Sequence, residues 1–474
     1  MTSGGHAGEG SADILEIAMF PRRLVIAAAA LALFAAPVRA QTAPSVVDQA
    51  WVAAHEAFLA GDALRGRGSA THDETVAAAY VAAQFQGFGL QPAPGMDGFT
   101  QTAAVIRTTP SGNASLSIGG VTLSQRDGLG LLSGGATAMR DQVEVATGDD
   151  PAALPTAGIV MIAPPEGPAV GSWINAAFGK GSRLVILRET ATLGEAVSRA
   201  SPGRPGFALA GAEPRSSRTL VVVPAAIYDR MTAMAGTGAV WEPGPAQVEQ
   251  TVTTNAVGWL PGTDPDAGVI LIAAHLDHLG VRADGTIMHG ANDDASGTTA
   301  VLELARALSS GEPHRRGILF VAYGSEEIGG LGSSWFGDHP PVPLSEIVAN
   351  LAIEMIGAQD PRMPAGVMMM TGFDRSNFGA ALRDQGALIA PDLYPEQNFF
   401  ERSDNYQLAL RGVVAHTISG WAVTPTYHSL EDTNANLDIP FMTRAIQSLV
   451  EPLRWLASSD FVPEWAPGGR PERR

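Results

Sequence analysis

From Val257 onward the chain alternates short apolar runs with helix-like segments, and that alternation leaves few folds open. Val269 to Ala274, Ile318 to Tyr323, Val348 to Met355 and Val413 to Ile418 read as buried strands, while Thr298 to Leu308, Asn377 to Gln385 and Thr443 to Ala457 read as helices. Strands that alternate with helices build βαβ units, so the expected class is α/β, with a mostly parallel central sheet covered by helices. Upstream, Val76, Ala79, Tyr80, Ala83 and Phe85 recur at roughly helical spacing, and Gly87 and Gly89 close that segment. Between these parts the texture changes. From about residue 108 to 250 short β-rich runs are interrupted by Gly, Pro and Ser, which predicts an inserted β-rich domain. Gly158 to Glu189 reads as strand, helix, strand, and Thr219 to Ala235 as strand then helix. The expected organisation is therefore a leader over 1–40, a first part of the main domain over 41–107, the insertion over 108–250, the rest of the main domain over 251–462, and a loose Pro-, Gly- and Arg-rich tail over 463–474.

The leader is expected because Arg22 and Arg23 precede an apolar run from Leu24 to Ala36, followed by the small-residue pattern Val38-Arg39-Ala40 at which signal peptidases cut. The run is shorter than the roughly 20 apolar residues a membrane span needs. The expected product is periplasmic or secreted, without membrane attachment after cleavage. With 30 Lys plus Arg against 48 Asp plus Glu, the net charge is −18, which argues against nucleic acid as a partner. There is no cysteine, so disulfides, thiolate ligands and a cysteine nucleophile are all excluded. Any metal must be held by His, Asp and Glu.

In open α/β sheets ligands bind beyond the carboxyl ends of the strands. Each such end here carries candidate ligands. The first strand runs into Ala274-His275-Leu276-Asp277-His278, and the next loop holds Gly290-Ala291-Asn292-Asp293-Asp294-Ala295-Ser296-Gly297. A later strand ends at Ser325-Glu326-Glu327, another contains Glu354, and Tyr427-His428-Ser429 follows the last. Imidazole and carboxylate donors suit zinc. Two histidines and three carboxylates could hold two ions, one carboxylate bridging them, in an arrangement suited to amide hydrolysis.

Taken in order, AHLDHLG, GANDDASG, SEEIGGLGS, NLAIEMIG and YHSLEDT resemble the signatures of the secreted dizinc aminopeptidases of peptidase clan MH. The resemblance covers most of residues 65–110 and 250–458 and implies the zinc exopeptidase fold, two Zn2+ per chain and a peptide substrate. It further implies that His275 and Glu354 bind one metal, Glu327 and His428 the other, and Asp293 both. Glu326 would be the general base and acid, with a pKa raised toward neutrality. Asp277 would orient the His275 imidazole, and Tyr427 would donate to the tetrahedral oxyanion. Glu354 departs from the family's commoner Asp, and Asn405 stands where relatives often carry His. The insertion resembles a protease-associated domain, with a lid of no named type as the alternative.

Several neighbouring residues keep bland readings. His278 and His289 flank the motifs and are left unassigned, and Asp294 is read as a loop-holding carboxylate. Gly236-Thr237-Gly238 lacks the rest of a dinucleotide fingerprint. The leading function is an exported two-zinc aminopeptidase, with Glu354 or Asp404 near the substrate's amino terminus and Phe399 and Phe400 as a pocket wall. A carboxypeptidase would instead need Arg402 or Arg411 in that pocket. A glutaminyl cyclase-like enzyme would use one zinc, and a catalytically silent peptide-binding protein none.

Overall fold

The computed structural model describes residues 46–472 except 111, 136, 168–169, 200–204, 213–217 and 235. The leader expected over 1–40 lies outside the described residues. Among those residues, no helix is long and apolar enough to cross a membrane.

Val269–His275 and Gly317–Tyr323 are buried along their whole length, as the uninterrupted apolar runs require. Alternate side chains serve two different cores. Ile270, Ile272, Ala274, Ile318, Phe320 and Ala322 pack beneath the helices Gln49–Leu59, His72–Gly87, Ser296–Leu308 and Ile439–Ser458. Val269, Leu271, Ala273, Leu319, Val321 and Tyr323 face the opposite side, against Phe336, Phe400 and Leu408. Helices thus cover both faces of one sheet.

That sheet has nine strands, in the order Ile389–Pro391, Met368–Met370, Ala415–Ser419, Ile347–Glu354, Val269–His275, Gly317–Tyr323, Ala246–Leu260, Thr100–Pro110 and Gly206–Leu209. The α/β class holds, but the parallel part is the centre. Ala415–Ser419, Ile347–Glu354, Val269–His275 and Gly317–Tyr323 run parallel, while pairing turns antiparallel on either side. The antiparallel edge was hidden because Thr100–Pro110 and Ala246–Leu260, though paired along their length, are separated in sequence by the insertion.

The insertion has its own eight-stranded sheet between residues 115 and 242. Its centre, Ile159–Ile162, Leu184–Arg188 and Thr219–Val223, is parallel and buried on both faces. Trp173 and Leu193 cover one side, and Tyr228, Met231 and Trp241 fill the other. Helices therefore belong to this domain as much as strands do. The long strand pair continues to Pro110 and Ala246, so the chain enters and leaves the insertion along one two-stranded stalk. Gly206–Leu209 leaves the insertion and joins the edge of the main sheet beside Val105 to Thr108.

The expectation of a loose tail after Pro463 is corrected. Trp465 packs beside Phe400 and His416 and donates from its indole nitrogen to the Gly412 carbonyl, while Arg375 donates to Gly469 O. One partly buried aromatic anchor outweighs the loop-like composition around it.

Candidate metal centre

Three adjacent parallel strands bring the candidate ligands to one rim. His275 is the last residue of its strand and pairs in register with Tyr323, three residues before Glu326. Glu354 ends the strand on the other side. Asp293 sits on the turn Ala291–Ala295 that opens the helix Ser296–Leu308, and His428 comes from the loop beyond Ala415–Ser419. The five residues predicted as ligands converge in two overlapping groups that share Asp293. One group is His275, Asp293 and Glu354. The other is Asp293, Glu327 and His428, joined by His278, with donor atoms in each group within 4.8 Å of one another.

The contacts focus on Asp293. His275 Nε2 lies 3.3 Å from its Oδ1, and His428 Nε2 lies 3.1 Å from its Oδ2 and 3.1 Å from Glu327 Oε2. Buried polar atoms normally find partners. Yet His275 Nε2, both ring nitrogens of His278 and Asp293 Oδ2 are buried without a hydrogen-bond partner. Imidazole and carboxylate atoms that converge in this way, several of them buried and unpartnered, are a donor set suited to a divalent cation, and zinc fits it.

Ligand-bearing turns adopt backbone conformations that side chains disfavour. Ser325, Met355 and His428 all have positive φ, at 57°, 55° and 51°, a region costing roughly 1–2 kcal/mol per residue. A collar of buried carboxylates holds these turns. Glu74 accepts from Ser325 Oγ and the amides of Ala70 and Thr254, and Asp294 accepts from the amides of Met355 and Gly297. Asp432 accepts from the amides of Asn292 and Asp293. Asp277 accepts from the amides of Glu326 and Glu327 and from Ser69 Oγ. Its carboxylate is also 3.7 Å from His275 Nδ1, so it fixes the two-glutamate turn as well as facing the imidazole.

So many carboxylates in one place are electrostatically unfavourable. Burial drives the Glu326 and Asp294 carboxyls well above their usual range, with His275 opposing, and pushes Glu354 up to about 7 and Asp404 up to about 6. Burial would raise Asp293 too, but hydrogen bonding to His275 and His428 outweighs it and holds that carboxyl below the ordinary range. A cation bound at this focus would supply the missing positive charge.

Arg67 is a fully buried guanidinium beside the rim. It donates to the carbonyl oxygens of Leu276, Leu59, His289 and Gly290, tying the loop after His275 to the loop before Asp293. Gly290 has φ 60°, and a Cβ there would come within 2.4 Å of the His278 ring. His278 was left unassigned from sequence, and Arg67, Glu74 and Asp432 were not singled out. The histidine stood inside AHLDHLG and was visible, whereas nothing around Arg67 distinguishes it from a surface arginine.

The remaining predicted residues separate. Tyr427 is half-exposed, stacks on His428 at 3.8 Å, and lines a small cavity with Glu354, Met369, Phe399, Arg402 and Ser403. Phe399 borders that cavity, but Phe400 is corrected to a core residue, buried against Tyr406, His416 and Trp465. Asn405 is also buried, bonding Phe400 O, Ala415 O and Thr417 Oγ1, so it braces the fold. Arg411 pairs with Asp338 away from the cavity.

Comparison with known proteins covers this part of the chain. The family described as Peptidase family M28 matches residues 255–451. That stretch is an M28 peptidase domain. The M28 domain contains every metal-ligand candidate, while Arg67 and Glu74 precede it. Aminopeptidase YwaD of Bacillus subtilis (strain 168) is 38% identical over 90 residues, 19% of this chain and 18% of that protein. Leupeptin-inactivating enzyme 1 of Streptomyces exfoliatus is 26% identical over 227 residues, 44% of this chain and 50% of that protein. The chain thus matches half or less of the length of these relatives. The aminopeptidase from Aneurinibacillus sp. strain AM-1 superposes with a TM-score of 0.56 at 18% identity, covering 90% of this chain and 98% of that one. The shared fold therefore extends beyond the M28 domain.

Arg67→Met would remove the guanidinium bonds to four carbonyl oxygens, of which Gly290 O keeps the Ala295 amide, and untie the two loops. We expect a loss of roughly 2–4 kcal/mol in a urea titration, together with weaker zinc binding by calorimetry. An unchanged unfolding midpoint would contradict the clamp.

Proposed function

We propose that the chain is an exported metallo-aminopeptidase that uses two zinc ions and cleaves the N-terminal bond of peptides. The observation that carries this reading is the pair of donor groups sharing Asp293 at the rim of the parallel strands. His275 and Glu354 would hold one ion, Glu327 and His428 the other, and Asp293 both. When bound, such a pair supplies Lewis acidity and lowers the pKa of water.

The protein's own groups then divide the work. Glu326 does not belong to either donor group, and its amide is held by Asp277, so its carboxylate is free to carry a proton. It would take that proton from the attacking water and return it to the leaving amine. Asp277 positions this base and faces the His275 ring. Tyr427, at the mouth and stacked on His428, is placed to donate to the developing oxyanion. Glu354 and Asp404 supply the negative charge that a free substrate amino group would meet. The names of the aminopeptidase relatives support this class of substrate.

A second reading rests on Arg402. It lines the cavity beside Glu354, lies 5.0 Å over the Phe399 ring, and makes no ion pair among the described residues. A substrate carboxylate could pair with it, as a carboxypeptidase requires.

Purified protein is expected to carry close to two zinc ions by elemental analysis. Glu326→Gln should keep both and lose activity by about 10²–10⁴-fold; retained turnover would contradict its role as base. A panel of aminoacyl and carboxy-terminal reporters should give turnover on the aminoacyl set. Turnover confined to the carboxy-terminal set, abolished in Arg402→Met, would favour the second reading instead.

A further inference from the structure

His278 belongs to the cluster, yet the five-ligand arrangement leaves it without a task. Its side chain is fully buried, with Nδ1 2.8 Å from Glu327 Oε1 and 3.8 Å from Asp293 Oδ2. Despite that short distance, Nδ1 has no hydrogen bond of acceptable direction, to Glu327 or to any other described residue. Glu327 Oε1 meets His428 Nε2 at 3.1 Å instead, so the unpartnered His278 nitrogen faces a carboxylate that a second imidazole already shares. The His428 ring, which offers Nε2 to the same carboxylates, lies edge-on to His278 with centroids 5.6 Å apart.

The backbone fixes the ring where it is. The His278 amide donates to Arg67 O, its carbonyl accepts from the Ser69 amide, and Gly290 leaves the space the ring fills. We propose that His278 is a fourth protein donor at the position made by Asp293, Glu327 and His428, so that the two metal positions are unequal. The inference rests on the two-metal reading. Four protein donors close a tetrahedral zinc site, whereas three leave a place for water. The His275, Asp293 and Glu354 position is then the open one. The closed position would hold its ion tightly and anchor Asp293, and the open one would exchange and face the substrate.

The test is X-ray absorption on metal-stripped full chain given one equivalent of zinc, counting imidazoles on the bound ion, with affinity measured by calorimetry. The wild-type chain should show two imidazoles. His278→Ala should show one, with the first zinc bound at least about tenfold more weakly, while His275→Ala should keep two. One imidazole in the wild-type chain, or an unchanged count in His278→Ala, would overturn the fourth donor and leave the two-metal reading standing. Failure to bind zinc at all would overturn both. The wild-type count is decisive even if a variant does not fold.

Discussion

A cluster of carboxylates withdrawn from water, focused on Asp293, is the constraint around which this molecule is organised. Glu326, Glu327, Glu354, Asp277, Asp294 and Asp404 crowd one rim, and the imidazoles of His275, His278 and His428 cannot neutralise them all. Such a concentration of like charge persists only if protons or cations compensate it. The fold spends backbone strain at Ser325, Met355 and His428 to bring these groups together. Buried hydrogen bonds accepted by Glu74 and Asp277 brace the turn at Ser325, Asp294 braces Met355, and Asp432 holds the Asp293 turn.

The sheet explains why the cluster forms where it does. Parallel strands end at one edge, and their side chains alternate between two helix-covered cores, so polar ligand candidates gather where the strands end. His275, Glu326 and Glu354 occupy those places. The insertion leaves this geometry untouched because it joins through the Thr100–Pro110 and Ala246–Leu260 stalk, three strands away from Ile347–Glu354.

Much of the architecture was legible because the relevant signals are local. Seven buried positions in Val269–His275 announce a central strand, and strand ends announce the rim. What sequence could not convey depends on distance in the chain. The antiparallel partner of Thr100–Pro110 lies beyond an entire domain, and Trp465 anchors a tail whose composition reads as loop. In the site, candidate ligands sitting in dense motifs were visible, while His278 of AHLDHLG was left unassigned because its convergence on Glu327 appears only in space. Arg67 and Glu74 act through backbone carbonyls and amides some 180 to 250 residues away, and no local pattern marks such a role.

Anomalous diffraction at the zinc edge from crystals of the zinc-loaded protein addresses the central claim most directly. The account requires two peaks flanking the Asp293 carboxylate, about 3.5–4 Å apart, one beside His275 and Glu354 and the other beside Glu327 and His428. A single peak, or two that do not share Asp293, would contradict it.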